Sequence, residues 1–113
     1  MGIKNLSEDV LLVELPDTEP DIADELKTVN ETLSDKLSCD VIVDFSGAEV
    51  ITSSSISNLL IMRSFLSERE RRLILCNVAV TTKGIFVVAG LNDAFEFVDD
   101  RPTAVASVQH AHS

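Results

Sequence analysis

Four consecutive hydroxyl residues, from Thr52 to Ser55, are the part of this sequence best suited to chemistry. They precede a segment whose apolar residues recur with helical spacing from Ile56 onward, so they are expected to begin a helix. One hydroxyl suffices to cap a helix, and four in a row are more than capping needs. A phosphate there would meet free N–H groups at the positive end of the helix dipole and would add about −1.5 to −2 charges. The run is therefore either a helix cap or a phosphorylation site, and physics alone favours the cap.

Other chemistry-bearing residues lack the neighbours that catalysis requires. Both histidines, His110 and His112, lie in the last four residues, where side chains are usually mobile, so no serine has a base nearby. The four glycines are too scattered for a phosphate-binding loop, and neither cysteine has a histidine at metal-ligand spacing. Asp44 could serve as a site residue at the end of a strand, but such an Asp more often holds the following turn. We expect no catalytic residue, no metal and no cofactor, and a protein that docks to a partner rather than an enzyme.

Composition narrows the class of partner. The 113 residues are 45% hydrophobic and 25% charged, as in one soluble globular domain spanning residues 1–113. The net charge of −10 repels phosphate backbones and anionic lipids and attracts basic proteins, so neither nucleic-acid binding nor direct membrane insertion is expected. No apolar run is long enough for a membrane span or a signal peptide. Cys39 and Cys76 stand at the edges of apolar runs, which favours free, buried thiols and a cytoplasmic protein.

Strands and helices are predicted to alternate along the chain. Short apolar runs bounded by turn residues predict strands, and apolar residues spaced by three and four predict helices. Such alternation is typical of an α/β domain with a mostly parallel sheet and helices packed against it. The predicted strands cover residues 10–15, 41–45, 73–76 and 94–98, and the predicted helices cover 21–37, 54–70, 83–89 and 102–110.

Three segments resemble the STAS domain of anti-sigma factor antagonists. Residues 43–56 read V-D-F-S-G-A-E-V-I-T-S-S-S-I, where the family pattern is D-L-S-G-V-x-F-I-D-S-S-G-L followed by a helix. Residues 73–77, L-I-L-C-N, are similar to the family's strand ending in Asn, and residues 90–95, G-L-N-D-A-F, to its T-G-L-x-x-x-F segment. The resemblance covers roughly residues 10–108 and implies a STAS-like mixed, mostly parallel sheet.

The family's phospho-acceptor, the second serine of D-S-S/T-G-L, corresponds to Ser54, with Ser53 and Ser55 as alternates. In that family a serine kinase of the histidine-kinase-like ATPase type, which is also the anti-sigma factor, modifies this serine. The unphosphorylated antagonist binds the kinase and frees the sigma factor, and phosphorylation releases the antagonist. This chain has Thr52 where the family has Asp, serines where it has two glycines, and Asp17 in place of part of a G-x-L-D stretch. The implied partner-binding residues are Asp17, Thr52, Ser53, Ser54, Ser55, Ser57, Ile61 and Phe65.

The predicted helix after this run is apolar on more than one side. Ile61 and Phe65 point largely away from the main apolar stripe. Either a neighbouring element covers them, or they form an exposed docking patch, which is the interpretation that the family's kinase-contacting helix favours. Three arginines near the helix end, Arg69, Arg71 and Arg72, are interpreted as surface charges that complement the helix dipole. The main stripe consists of Ile56, Leu59, Leu60 and Leu66.

A second class of function stays open on the sequence. STAS domains also serve as small subunits of lipid-transport complexes and as scaffold components of stress-sensing assemblies. In either role the helix would dock permanently, and no serine would be modified.

Overall fold

The order of elements is that of an α/β domain in which strands and helices alternate after an initial hairpin. The computed structural model describes residues 2–35, 39–48 and 50–111. The predicted extension of the first helix to Leu37 and the tail residue His112 lie outside these ranges. The elements are β1 (Gly2–Ser7), β2 (Val10–Glu14), α1 (Asp21–Asp35), β3 (Asp40–Asp44), α2 (Ser53–Glu68), β4 (Leu73–Cys76), α3 (Val80–Val88), β5 (Glu96–Val98) and α4 (Arg101–Ala111).

The strands form one sheet in the order β1-β2-β3-β4-β5. Strands β2 to β5 are parallel, and β1 pairs antiparallel with β2, so the predicted mixed, mostly parallel sheet is confirmed. The two strands predicted over residues 41–45 and 73–76 are parallel neighbours, with Val43 of β3 opposite Leu75 of β4. The strand β1 was missed by sequence reasoning because its residues, G-I-K-N-L-S, are exposed almost throughout and show no buried face.

Side chains alternate between two cores, one on each face of the sheet. The helices α1, α2 and α3 pack on one face, where Val13, Val43 and Leu75 are fully buried. On the other face, α4 supplies Ala104 and Val108 in the described part of the chain. The strand residues that α4 and its neighbours cover are Val10, Leu12, Ile42, Ile74 and Cys76.

The helices bury one apolar side and are bounded by typical capping residues. The apolar residues of α1 that recur at intervals of three and four from Ile22 to Leu33, here called the α1 stripe, are buried. Gly90, with a φ of +74°, follows α3 in the left-handed region that favours glycine, as expected of a helix stop. Asp100 accepts a hydrogen bond from the Thr103 N–H at 2.9 Å and so caps α4. The fully buried members of the α1 stripe are Ile22, Leu26 and Val29, with Leu33 nearly so.

The interpretation of Arg71 and Arg72 as dipole-complementing surface charges is wrong. Helix α2 ends before them, so both residues lead into β4 and are half-buried. The Arg71 Nε lies 3.5 Å from the carboxylate of the buried Asp40. Arg72 forms an ion pair with Glu96 and donates to the Ser107 backbone oxygen at 2.9 Å. These two side chains therefore tie β4 to its neighbours.

Both cysteines are free and buried, as predicted. Burial raises the pKa of Cys39 and raises that of Cys76 to about 12, which keeps both thiols protonated at neutral pH. Within the ranges that the structure describes, every helix is too short or too polar to span a lipid bilayer.

Candidate functional site

The hydroxyl run begins α2, as its composition predicts. Thr52 is the N-cap residue, with extended backbone angles, and its carbonyl accepts the Ile56 N–H at 3.1 Å. The side chains of Ser53 and Ser54 are exposed, whereas Ser55 is completely buried. The three serines therefore differ in access although they are consecutive, and Ser54 lies in the first turn with its side chain toward solvent.

A carboxylate from a loop distant in sequence accepts hydrogen bonds from the donor groups at the start of α2. Thr52 makes no side-chain cap to its own helix. Instead, Oε2 of Glu19 accepts hydrogen bonds from the Thr52 N–H at 2.9 Å, from the Thr52 hydroxyl at 2.8 Å and from the Ser55 hydroxyl. Its other oxygen, Oε1, accepts the Ala23 N–H of α1 at 2.9 Å. Glu19 thus joins the starts of two helices.

Glu19 carries its negative charge at neutral pH. Burial alone raises the pKa of this carboxyl, but hydrogen bonds from Ser55, Thr52 and Ala23 outweigh it and hold the pKa below the ordinary value of 4.5. An anion at this place is favoured by the positive end of the α2 dipole. Glu19 therefore places a negative charge at the start of α2.

Glu19 is absent from the residues predicted from the sequence. The acidic residue predicted for this loop is Asp17, which is exposed in the structure. The contact of Glu19 with Thr52 joins residues 33 positions apart and has no local signature. The available signal was the position of Glu19 just before Pro20 and α1, where a carboxylate can cap a helix.

Two concavities flank the start of α2. One, which we call the polar cleft, has a volume of about 460 Å³ between α1 and α2. The other, which we call the apolar groove, has a volume of about 590 Å³ between α2 and α3. Ser54 lines the first and Ser53 the second, so the hydroxyl run forms the ridge between them. The polar cleft is lined by Glu19, Lys27, Thr52, Ser54 and Asn58, among others, and the apolar groove by Ile51, Ser53, Ile56, Gly84, Ile85 and Val88, among others.

The outer face of α2 is partly exposed. Ile61 is 52% exposed while Leu59 is completely buried, as predicted. Phe65 is half-buried, because the Arg69 guanidinium lies 4.3 Å from its ring centroid one turn along the helix. Ser57 is also exposed. The predicted patch therefore centres on Ile61, with Phe65 covered by a neighbour on its own helix.

A larger apolar surface lies on and beside α3, where sequence reasoning expected only a short packed helix. Val80 is 87% and Val88 91% exposed, and Val87 is exposed as well. Val50, ahead of α2, is exposed too. Phe86 is the buried anchor of α3, between the rings of two other phenylalanines. The sequence signal was the adjacent pair of valines after Phe86, since a short helix on a sheet can bury only one of its sides.

Asp44, at the carboxyl end of the central strand β3, holds the turn that follows it, which is the role favoured from the sequence. Its Oδ1 accepts the Ser46 N–H at 2.9 Å and the Asn77 amide at 3.0 Å, and Oδ2 accepts Arg101 Nε and Nη2 at 3.0 and 2.7 Å. Arg101 also donates to Glu14 at 2.6 Å. Burial raises the Asp44 pKa, but these hydrogen bonds lower it overall. Each oxygen of this carboxylate is occupied by partners from the chain itself.

Comparison with known proteins gives a consistent fold. The STAS domain family model matches residues 8–104. No sequence of a curated protein is detectably similar to this chain. An anti-sigma-factor antagonist (STAS) domain protein from Planctomyces limnophilus superposes with a TM-score of 0.80 at 17% identity, covering 95% of this chain and 97% of that one.

Two further solved structures share the fold. The Bacillus cell fate determinant SpoIIAA in its phosphorylated form has a TM-score of 0.75 at 17% identity and covers 94% of this chain and 96% of its own. A sulfate transporter family protein from Wolinella succinogenes has a TM-score of 0.77 at 20% identity, with coverages of 94% and 89%. Because the family model spans most of the sequence, and solved STAS structures share the fold, this chain belongs to the STAS domain family.

Proposed function

We propose that this chain is a regulatory docking module of the anti-sigma factor antagonist kind. It binds an anti-sigma factor through the surface around the start of α2, and phosphorylation of Ser54 releases it. The observation that carries this proposal is the exposed position of Ser54 in the first turn of α2, on the ridge between a polar cleft and an apolar groove.

Burial and surroundings favour Ser54 over the neighbouring serines as acceptor. Ser55 is completely buried, and its hydroxyl is occupied by Glu19. Ser53 lines the apolar groove, where a phosphate would lie among hydrocarbon side chains. Ser54 lines the polar cleft, where the carboxylates of Glu19 and Asp24 lie beside Lys27, whose ammonium group can pair with a phosphate.

The charge of the molecule favours a basic partner. The chain carries a net charge of −10, and complementary charge steers association with a basic surface. A serine kinase of the histidine-kinase-like ATPase type that doubles as the anti-sigma factor would supply both the docking surface and the phosphate. Two free, buried cysteines suit the reducing cytoplasm, where such a pathway operates. In this role the chain acts by binding and performs no chemistry.

Phosphate transfer tests the proposal directly. The wild-type protein and Ser54→Ala are incubated with ATP and the kinase-like protein encoded nearest to the gene, and the products are mapped by mass spectrometry. Ser64→Ala serves as a matched control, because Ser64 is an exposed serine on the same helix. We expect phosphate on Ser54 in the wild type and the control, and none in Ser54→Ala. Phosphate on Ser53 would correct the acceptor by one residue.

A permanent-subunit role is the alternative that one observation favours. Glu19 already places a negative charge beside Ser54, and its contacts with Thr52 and Ser55 involve two of the residues that depart from the family pattern. These contacts hold the residues on both sides of Ser54 in one arrangement, which suits a helix that stays docked without modification. Stable partner binding with and without ATP, and no phosphate on any serine, would favour a subunit of a lipid-transport complex or stress-sensing scaffold.

A further inference from the structure

The apolar groove contains a glycine that the fold itself does not require. Gly84 lies in the fifth position of the nine-residue helix α3. Its φ is not in the left-handed region, and a Cβ built on it meets no atom within 4 Å. A glycine inside a helix destabilises it relative to alanine. Neither the backbone conformation nor the packing of this chain requires glycine here, so nothing in the fold offsets the lost helix stability. The open space beside Gly84 therefore calls for another explanation.

The groove has the shape and chemistry of a helix-binding surface. Its walls are branched apolar side chains, Ile51 and Ile56 on one side and Ile85 and Val88 on the other. Gly84 opens the groove beside α3, where the missing side chain lets another backbone come close. Among the described residues that line it, none is charged. An amphipathic helix recognises such a groove with apolar anchors at i, i+3, i+4 and i+7.

Charge decides between the candidate occupants. Two copies of this chain, each with a net charge of −10, would repel each other, whereas a cationic helix would be attracted to the acidic molecule as a whole. We propose that the apolar groove receives an amphipathic helix of the protein partner, apolar on the buried face and basic on the outer face, with Gly84 at the point of closest approach. This deepens the proposed function, on which it rests only for the existence of a protein partner.

The test uses a synthetic amphipathic helix of leucine and lysine, with leucines at i, i+3, i+4 and i+7, titrated into the ¹⁵N-labelled full chain. We expect the backbone resonances of Ile56 and Ile85 to shift while those around Ile61 do not. The Gly84→Leu variant fills the groove and should weaken peptide binding at least tenfold. Ala106→Leu adds the same side chain at an exposed position of α4, on the other face of the sheet, and should bind like the wild type.

The Tm of each variant shows whether weaker peptide binding comes from a filled groove or from an unfolded protein. Because leucine is a better helix former than glycine, Gly84→Leu should have a Tm equal to or a few degrees above that of the wild type. Gly84→Ala should also raise the Tm and should weaken binding by a smaller factor. A lower Tm for both variants would show that Gly84 serves the fold and would overturn the proposal.

Other outcomes would also refute the assignment. Equal binding by the wild type and a correctly folded Gly84→Leu would show attachment outside the groove. Equal binding of a peptide with glutamates in place of the lysines would refute the basic partner. A wild-type dimer that Gly84→Leu converts to a monomer would assign the groove to a second copy. A failure of Ser54 phosphorylation with these binding results intact would refute only the switch in the proposed function.

Discussion

Glu19 is the residue whose removal most directly tests the geometry of the site. Glu19→Ala leaves the completely buried Ser55 hydroxyl without its acceptor, which costs about 1–3 kcal/mol. It also removes the acceptor for N–H groups at the starts of α1 and α2, where loss of a cap typically costs about 1 kcal/mol per helix. Water replaces part of the contact at the exposed Thr52. We therefore expect the free energy of unfolding to fall by about 2–4 kcal/mol, a large share of the roughly 5–15 kcal/mol typical of a domain.

Urea unfolding followed by circular dichroism measures this difference. Asp17→Ala is the matched control, because Asp17 is an exposed acidic residue of the same loop and its loss should change the unfolding free energy by no more than about 0.5 kcal/mol. A double-mutant cycle with Ser55→Ala isolates the contact itself, and the two losses should be less than additive. Equal effects of Glu19→Ala and Asp17→Ala would refute the role assigned to Glu19.

The pH dependence gives a second, independent measurement. The pKa of Glu19 is lower in the folded protein than its ordinary value of 4.5, so the folded state favours the charged form. The resulting stability is complete above about pH 5 and is lost as the pH falls through the folded pKa. Glu19→Gln removes this titration. The stability difference between the wild type and Glu19→Gln should therefore shrink on acidification, and a constant difference would contradict the charged contact.

Three further substitutions have expected outcomes. Ser54→Asp should leave the Tm within a few degrees of the wild type, because Ser54 is exposed, and should weaken partner binding in a pull-down or by calorimetry. Ile61→Glu should likewise keep the Tm and weaken partner binding, and unfolding of this variant would show that Ile61 belongs to the core. Arg101→Ala should lower the unfolding free energy by about 1–3 kcal/mol, because Asp44 is only 3% exposed and would lose its charged partner but keep its hydrogen bonds from Ser46 and Asn77. A loss below about 1 kcal/mol in urea unfolding would refute that assignment.

Much of the fold follows from local patterns. The strands β3 and β4 are apolar runs that are buried throughout, and the apolar residues of α1 from Ile22 to Leu33 recur at helical spacing. The local pattern and the tertiary burial therefore favour the same secondary structure. Every predicted element is present, with its described ends within three residues of the prediction. The strand β1 was not predicted, because an exposed edge strand needs no apolar face and so leaves no apolar pattern in the sequence.

Only part of the candidate site could be predicted from the sequence. The start of α2 at the hydroxyl run is a local matter of capping and could be predicted. The burial of Ser55, the contact with Glu19 and the stacking of Arg69 on Phe65 depend on side-chain placement. The exposed valines of α3 resemble core residues in sequence, and only the tertiary arrangement shows that the buried position belongs to Phe86.

The strand order has a consequence for synthesis on the ribosome. Strands occupy the sheet in the order in which they are made, so each new strand finds its partner already in place at the growing edge. Such sequential pairing shortens the loops that must close before contacts form. The helix α4 emerges after all five strands, and until Val108 has left the exit tunnel the sheet face with Leu12, Ile42 and Ile74 lacks the apolar contacts that α4 provides. A nascent chain stalled before α4 should therefore bind the chaperones that recognise exposed hydrophobic strands, and one released after α4 should not.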